Sequence, residues 1–411
     1  MRVLIIGINF YPEPTGVAPY TTALAEALFR AGHSTRVITG VPHYPSWRNV
    51  TDFRGLRRAE SVRGIRVVRR RHYIANGGRG FSRLAMELSF GVSAVLERWH
   101  RPEVVLCVSP ALFASALVMI RAKLSPSRPA VALWVQDLYG PGASELGASA
   151  GRVAATVGFV EGFIMKRADS VSIIHERFRR YVVAHRNVPP GKVVVNRNWQ
   201  RIRGTSISDR RIREFRCQMG WMQNEIVALH SGNMGAKQGL ETIVDAAKVA
   251  ALRGSAVKFV LMGDGSQRRS LQNRAGDCGN LEFVSPVSEE DYETALAGSD
   301  ILIICERSGL RETSVPSKLT SYLGAGKPIV AAIDPDGATA DEVRQSGGGV
   351  LVPTRSPAQL LETVELIASS ERAALLGEAG LRYAQASLSE SSSVQRMVQW
   401  LENLHASKEA S

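Results

Sequence analysis

A chain of 411 residues with 45% apolar and 22% charged side chains has the composition of a soluble globular protein, not of a disordered segment, and is long enough for two domains of about 200 residues. The formal charge of +13, from 51 Lys and Arg against 38 Asp and Glu, favours anionic partners such as nucleotide phosphates, acidic lipids or nucleic acid, although an arginine excess is also what a GC-rich genome produces. Four cysteines (Cys107, Cys217, Cys278, Cys305) without CxxC spacing exclude a disulfide scaffold and read as reduced structural thiols in a cytosol.

In chain order, "MRVLIIGINF" is a strand that breaks at a turn, not an apolar leader ending in a cleavage site. Further strands are expected at 35–39, 104–109, 130–135 and 170–174. The helix between the first two carries Tyr20, Leu24, Ala27 and Leu28 on one face and stops at Gly32. The uncharged run from Val104 to Ile120 is split at Ser109-Pro110 into strand and helix, which makes it a poor membrane span. From Arg48 to Arg101, many arginines, including Arg69-Arg70-Arg71, alternate with apolar residues. Such a segment is either a solvated charged face or a basic surface for anionic lipid or an acidic acceptor.

A turn-rich, charged stretch at 198–212 reads as a linker. Beyond it, apolar runs at 226–231, 257–262, 281–284, 301–305, 328–332 and 348–352 alternate with helical stretches. This is the α/β rhythm of parallel sheets covered on both faces. The expected architecture is two facing Rossmann-like domains, 1–200 and 201–388, with a last helical segment at 389–411. Open α/β sheets bind ligands at the carboxyl ends of their strands, so a cleft between the two would collect loops from both.

Several of those loops carry chemistry. "HSGNMGAKQGLE" places Lys237 among glycines between a strand and a helix, the composition of a phosphate seat. "LMGDGSQRRSL" contains Gly263-Asp264-Gly265, a lone GxG that reads equally as a tight turn. "VPSKLTSYLGAGKP" offers a second anion seat, with Pro316 in a first helical turn and Ser317 and Lys318 beside it. In the first half, the loop 8–22 with Thr15-Gly16 is either a ligand-lining loop or a Pro/Gly turn. "WVQDLYG" sets Gln136 and Asp137 just past a strand end, where Asp137 is an acceptor base, a hydroxyl-binding group or a turn cap.

Competing patterns fail on spacing. "GAGKP" ends a helix, and Pro328 stands where a P-loop needs Ser or Thr. Asp334 and Asp336 flank Pro335 in a strand-to-helix turn with no further ligand spacing nearby. The eight histidines form neither a triad nor a metal pattern; His230 reads as a strand-end packing residue or, as the alternative, a cleft residue.

Taken in order, "GINFYPEPTGVAPYT", "WVQDL", "SGNMGAKQGLETIVDAA", "GDG", "VPSKLTSYLGAGKPIVA" and "SGGG" resemble the retaining glycosyltransferases of family four, of GT-B fold, and most closely the colanic acid biosynthesis type. The resemblance covers nearly the whole chain. It implies transfer of a sugar from a nucleotide diphosphate, without metal or other cofactor, to a glycan or lipid-linked acceptor in surface polysaccharide synthesis. It implies a cytoplasmic enzyme, peripheral on the inner membrane face, with the basic 48–101 region meeting anionic lipid and no nucleic-acid partner.

Residue by residue, the resemblance assigns the donor diphosphate to Lys237 and Lys318, with Gly232, Asn233, Gly235, Gly263, Asp264, Gly265, Thr313, Ser317, Leu319, Ser321 and Glu342 on the donor side. Asp137 joins the two lysines as a catalytic candidate, and Gly16, Gln136 and Tyr139 lie on the acceptor side. Three positions depart from many relatives: Asn233 replaces an arginine, and Thr313 and Ser321 replace two glutamates eight apart, with Glu306 and Glu312 as nearby substitutes. The segment 391–406 resembles the helix that crosses back onto the first domain and permits hinge closure. Alternatives are a GT-B nucleotide-sugar epimerase, a natural-product glycosyltransferase and a non-catalytic basic binding protein.

Overall fold

The computed structural model describes every residue except 15, 45, 50, 52, 76–79, 110, 139–150, 200–206, 310–316 and 411. The chain divides into two compact units, Met1–Asn198 with Ser391–Ser411, and Trp199–Glu390.

In unit 1 the strands are β1 (Arg2–Ile6), β2 (Ser34–Gly40), β3 (Arg57–Val62), β4 (Ile65–Arg70), β5 (Val104–Val108), β6 (Ala130–Val135), β7 (Ser170–Ile173) and β8 (Val193–Val195). They form one sheet in the order β3-β4-β2-β1-β5-β6-β7-β8, parallel except for the β3–β4 hairpin. Helices α1 (Ala18–Arg30), α2 (Gly80–Leu96), α3 (Leu112–Leu124), α4 (Gly151–Arg167) and α5 (Glu176–Arg186) link the parallel strands. Strands β5 and β6 are buried along their whole length, as a sheet covered on both faces requires, and for that reason they read in sequence as unbroken apolar runs.

The 48–101 region is where sequence and structure differ. It holds the β3–β4 hairpin, which the periodicity missed. Arg63 and Gly64 both take positive φ at its turn, the geometry of a tight hairpin connection. Several of its arginines are engaged: Arg57 and Arg70 meet the buried Glu97 at 2.9 and 3.3 Å, as does Arg36 of β2 at 3.2 Å, and Arg69 meets Glu60 at 2.6 Å. Burial alone would raise the Glu97 carboxyl, but the hydrogen bond and charge of Arg57, with Arg36 and Arg70, hold it below its ordinary value. The charges on this pair also blunt the sheet edge against pairing with other chains.

Unit 2 contains β9 (Ile226–Ser231), β10 (Val257–Met262), β11 (Leu281–Val284), β12 (Ile301–Cys305), β13 (Ile329–Ala332) and β14 (Gly349–Val352). They form an all-parallel sheet in the order β11-β10-β9-β12-β13-β14. Its helices are α6 (Asp209–Gln218), α7 (Glu241–Arg253), α8 (Arg268–Ala275), α9 (Glu289–Gly298), α10 (Ser317–Gly324), α11 (Ala338–Ser346), α12 (Pro357–Ala368) and α13 (Arg372–Ser387). The last helix, α14 (Glu390–Glu409), returns to unit 1: Trp400 Nε1 donates to Ser170 Oγ at 2.8 Å, and Met397 and Leu401 are fully buried. Among the described residues, no helix is long and apolar enough to cross a membrane.

Candidate functional site

In a parallel sheet, a ligand crevice opens where neighbouring strands send their connections in opposite directions. In unit 2 that point is β9, which lies between β10 and β12. The glycine loops singled out in the sequence leave the carboxyl ends of β9 and β10, and they are laced together. Gly232 N–H donates to Met262 O at 2.8 Å, Met234 N–H to Asp264 O at 2.8 Å, and Gly263 N–H to Val284 O at 2.9 Å. A Cβ on Gly263 would sit 2.0 Å from Gly232 O, and its φ of +137° is one that side chains rarely adopt.

The glycines therefore serve a different purpose from the one composition implies. The N–H groups of Gly232 and Gly263 are used within the fold, as are those of Gly235 and Gly265, which donate to Gln238 Oε1 and Asp264 Oδ1. What the glycines provide is close approach of two loops, which leaves Asn233, Asp264 and Lys237 exposed above them. Lys237 lies on a short 3₁₀ turn, Ala236–Gln238, and its carbonyl accepts from Arg307 N–H at 2.8 Å, tying the turn to the end of β12.

Lys318, in the first turn of α10, reaches the same place: its Nζ lies 3.7 Å from where a Cβ on Gly232 would stand. Nζ also lies 2.9 Å from His230 Nε2, while His230 Nδ1 is 3.1 Å from Ile303 O. With a carbonyl on one side, Nδ1 must carry the hydrogen, so Nε2 accepts from the lysine. Burial, then the Lys318 charge, holds His230 well below its ordinary value and keeps it neutral. Burial also drives Lys318 down to about 7, against the smaller opposing pull of Cys305 and Glu306. His230 is thus both buried at the strand end and a direct partner of a candidate site lysine.

The other residues that the resemblance assigned to the donor side are variously placed. Leu319 is fully buried in the core of unit 2, leaving only its backbone for a ligand. Ser321 is half-buried in the middle of α10. Glu342 is buried on α11 and accepts from Tyr383 Oη at 2.8 Å. Glu306 accepts from Thr339 Oγ1 at 2.7 Å. Thr313 and Glu312 lie outside the described residues, as does the Ser317 side chain. A groove of about 440 Å³ beside the Lys237 turn is lined by Gly239, Glu241, Arg274, Glu306 and Arg307 among others, but by neither Lys318 nor Gly263. The site is accordingly defined by the strand ends, not by that groove.

In unit 1 the loop after β1 and the segment after β2 are held together by a carboxylate that sequence reading missed. Glu13 is buried and accepts from the N–H groups of His43 and Tyr44 at 2.8 and 2.9 Å and from Asn9 Nδ2 at 2.8 Å. Gly16, at φ +69°, packs where a Cβ would lie 3.2 Å from the Tyr44 ring. Asp137 is exposed just past β6, and its charge, after burial and together with Glu13, raises the Tyr44 hydroxyl above its ordinary value. The Gly16 loop, Tyr44 and Asp137 thus share one locality. Gln136 is buried and accepts from Asn198 Nδ2 at 2.7 Å; Tyr139 lies outside the described residues. Among the described residues, no group of three or more His, Cys, Asp or Glu is placed to hold a metal ion.

Two Rossmann-like sheets, with a C-terminal helix returned to the first, are the GT-B fold. Residues 15–199 match the glycosyl transferase 4-like domain and 211–382 the glycosyl transferases group 1 domain. The Escherichia coli protein WcaI, whose name places it among colanic acid biosynthesis glycosyl transferases, is 30% identical over 79% of this chain and 82% of its own. The chain belongs to glycosyltransferase family four. Among solved structures, a sucrose-phosphate synthase from Thermosynechococcus elongatus superposes with a TM-score of 0.75 at 16% identity, covering 99% of this chain and 100% of that one. The Anabaena protein HepE, solved with UDP and glucose, gives 0.72 at 15%, covering 98% and 99%; at such identities the likeness is one of fold.

Proposed function

We propose that the protein transfers a sugar, with retention of anomeric configuration and without a metal, from a nucleotide diphosphate to a lipid-linked glycan acceptor in surface polysaccharide synthesis. The observation that carries the donor half is the placement of Lys237 and Lys318 around the carboxyl end of β9, at the switch point of the sheet. Two ammonium groups and the start of α10 can stabilise the charge that develops on a departing diphosphate, the kind of preorganised electrostatic contribution that dominates many enzymes. The diphosphate then needs no cation to neutralise it. Its oxygen, as it leaves, takes the proton of the attacking acceptor hydroxyl on the same face of the sugar, which yields retention.

On the acceptor side, Asp137 and the Gly16 loop orient the hydroxyl; Tyr44, held between Glu13 and Asp137, shapes the same locality. The name of WcaI supports a polysaccharide product, and HepE with UDP and glucose supports a nucleotide-sugar donor.

The test is turnover of a nucleotide sugar in excess chelator, with proton NMR following the anomer first formed on transfer or slow hydrolysis. The reading predicts undiminished turnover and an anomer matching the donor. Inversion, or loss of turnover restored by a divalent cation, would overturn it, and acceptor-free isomerisation of the donor sugar would point to an epimerase.

A further inference from the structure

The helices α2, α3 and α4 each lead between parallel strands in the same lateral direction across the sheet, so right-handed crossovers place all three on one face of unit 1. They pack side by side in that order. Their outward surface is unusual. On α2, Phe81, Ala85, Leu88, Val92 and Leu96 recur at helical spacing and are all exposed. The two charges of that helix, Arg83 and Glu87, pair with each other at 3.1 Å, with Glu87 buried. The outward face of α2 therefore carries no exposed carboxylate from end to end, the reverse of the polar outer face of a helix on a soluble domain. Ile120 and Leu124 continue the apolar surface on α3, and Phe159 and Phe163 on α4.

Among the described residues the charge around this surface is mostly positive; the carboxylate at its edge, Asp169, is held by Lys123 at 3.0 Å and Lys408 at 3.8 Å. Glu87, Glu97 and Glu161 are buried, and each is held by an arginine. Exposed cations, by contrast, gather at the carboxyl ends of the three helices, which the parallel topology brings to one edge: Arg98, Lys123, Lys166 and Arg167. Arg167 lies over the Phe163 ring at 5.2 Å, joining the cationic edge to the apolar surface.

We propose that this face of unit 1 docks on an anionic lipid surface, with the apolar side chains of α2, α3 and α4 entering the acyl boundary and the cationic edge meeting the headgroups. Scattered single apolar residues would need no explanation, but a helix-long stripe continued on two neighbours does. A second copy of the chain, packed face to face, would present the same cationic edge, whose carboxylate Asp169 is already held by Lys123 and Lys408. The inference deepens the reading of a lipid-linked acceptor and rests on it only for its purpose. Within the 48–101 region it moves the contact from the β3–β4 arginines, several of which are engaged by Glu97 and Glu60, to α2 and Arg98.

The test is flotation of the full chain with vesicles of phosphatidylcholine alone and with added phosphatidylglycerol, for wild type, the double variant Leu88→Gln/Val92→Gln, and Lys166→Glu. Donor-induced thermal shift is read in parallel, since none of these positions lies in the donor or acceptor loops. The wild type should float with the anionic vesicles only, in a salt-sensitive way, and the double variant should lose about tenfold in affinity or more, with Lys166→Glu weakened less. All three should keep the same melting response to nucleotide sugar. Absence of wild-type binding to anionic vesicles, or equal binding by the double variant, would overturn the proposal. A wild-type dimer that the double variant splits, with no vesicle binding, would reassign the face to self-association. Vesicle binding without any donor response would instead sink the transferase reading and leave the surface standing.

Discussion

Lys318 illustrates what a single residue gains from its surroundings. Driven down to about 7 by burial, its amine is largely ammonium below that pH and largely neutral above it. A nucleotide-sugar diphosphate, a diester, keeps its charge over the same range, and it binds the ammonium form. Donor affinity should therefore be highest below pH 7 and fall as pH rises through it, by up to about tenfold per unit at the steepest. Lys318→Arg, whose charge does not titrate there, should flatten the profile. A pH-independent donor Kd in the wild type would remove Lys318 from the donor contact. In the sequence, "VPSK" at a helix start marked this lysine as an anion seat; its lowered basicity could not be read there, because it comes from burial among residues that lie far away along the chain. Glu13 was hidden for the same reason: between two prolines it looks like a loop residue, and its partners His43 and Tyr44 come from the next strand's end.

At the scale of elements, the glycine loops set how closely the ends of β9 and β10 approach. Gly263→Ala would force its Cβ against Gly232 O at 2.0 Å and hold a φ of +137°, costing roughly 3 kcal/mol or more. Thermal melts should show a marked loss of stability together with loss of donor response. Gly254 also has positive φ, +63°, but nothing lies within 4 Å of its added Cβ. Gly254→Ala should cost only about 1 kcal/mol and leave the donor response intact; equal behaviour of the two variants would show that loop spacing is irrelevant. Most of the strands that apolar runs marked lie within their sheets, where both faces are covered, while β11 and β14, also marked, form the edges of the unit 2 sheet. Those missed, β3, β4 and β8, lie at or beside a sheet edge. Edge strands need not be apolar throughout, so β3 and β4 read as a basic tract instead.

At the scale of the molecule, the chain closes on itself: its last helix completes the first unit, with Trp400, Met397 and Leu401 buried against the β7 region. Trp400→Ala should destabilise unit 1 by about 3 kcal/mol, and hydrogen exchange should speed up in the Ser170–Ile173 strand while the β9–β13 core of unit 2 stays protected. Unchanged exchange in β7 would contradict that packing. Composition and the α/β rhythm pointed to two Rossmann-like sheets, and the resemblance placed the last helix on the first. The orientation of the apolar α2 stripe was beyond sequence reading, because an apolar face predicts burial and only the packing shows it turned outward.

A donor site for a nucleotide sugar built on Lys237 and Lys318 should show itself in melting temperature and turnover against a panel of nucleotide sugars, on wild type and Lys237→Ala. The account predicts that one donor stabilises and is slowly consumed by the wild type, and that both effects are lost in the variant, whose unliganded melting temperature matches the wild type. If no nucleotide sugar shifts the wild type, or if Lys237→Ala responds equally, the strand ends of β9 and β12 do not form the donor site.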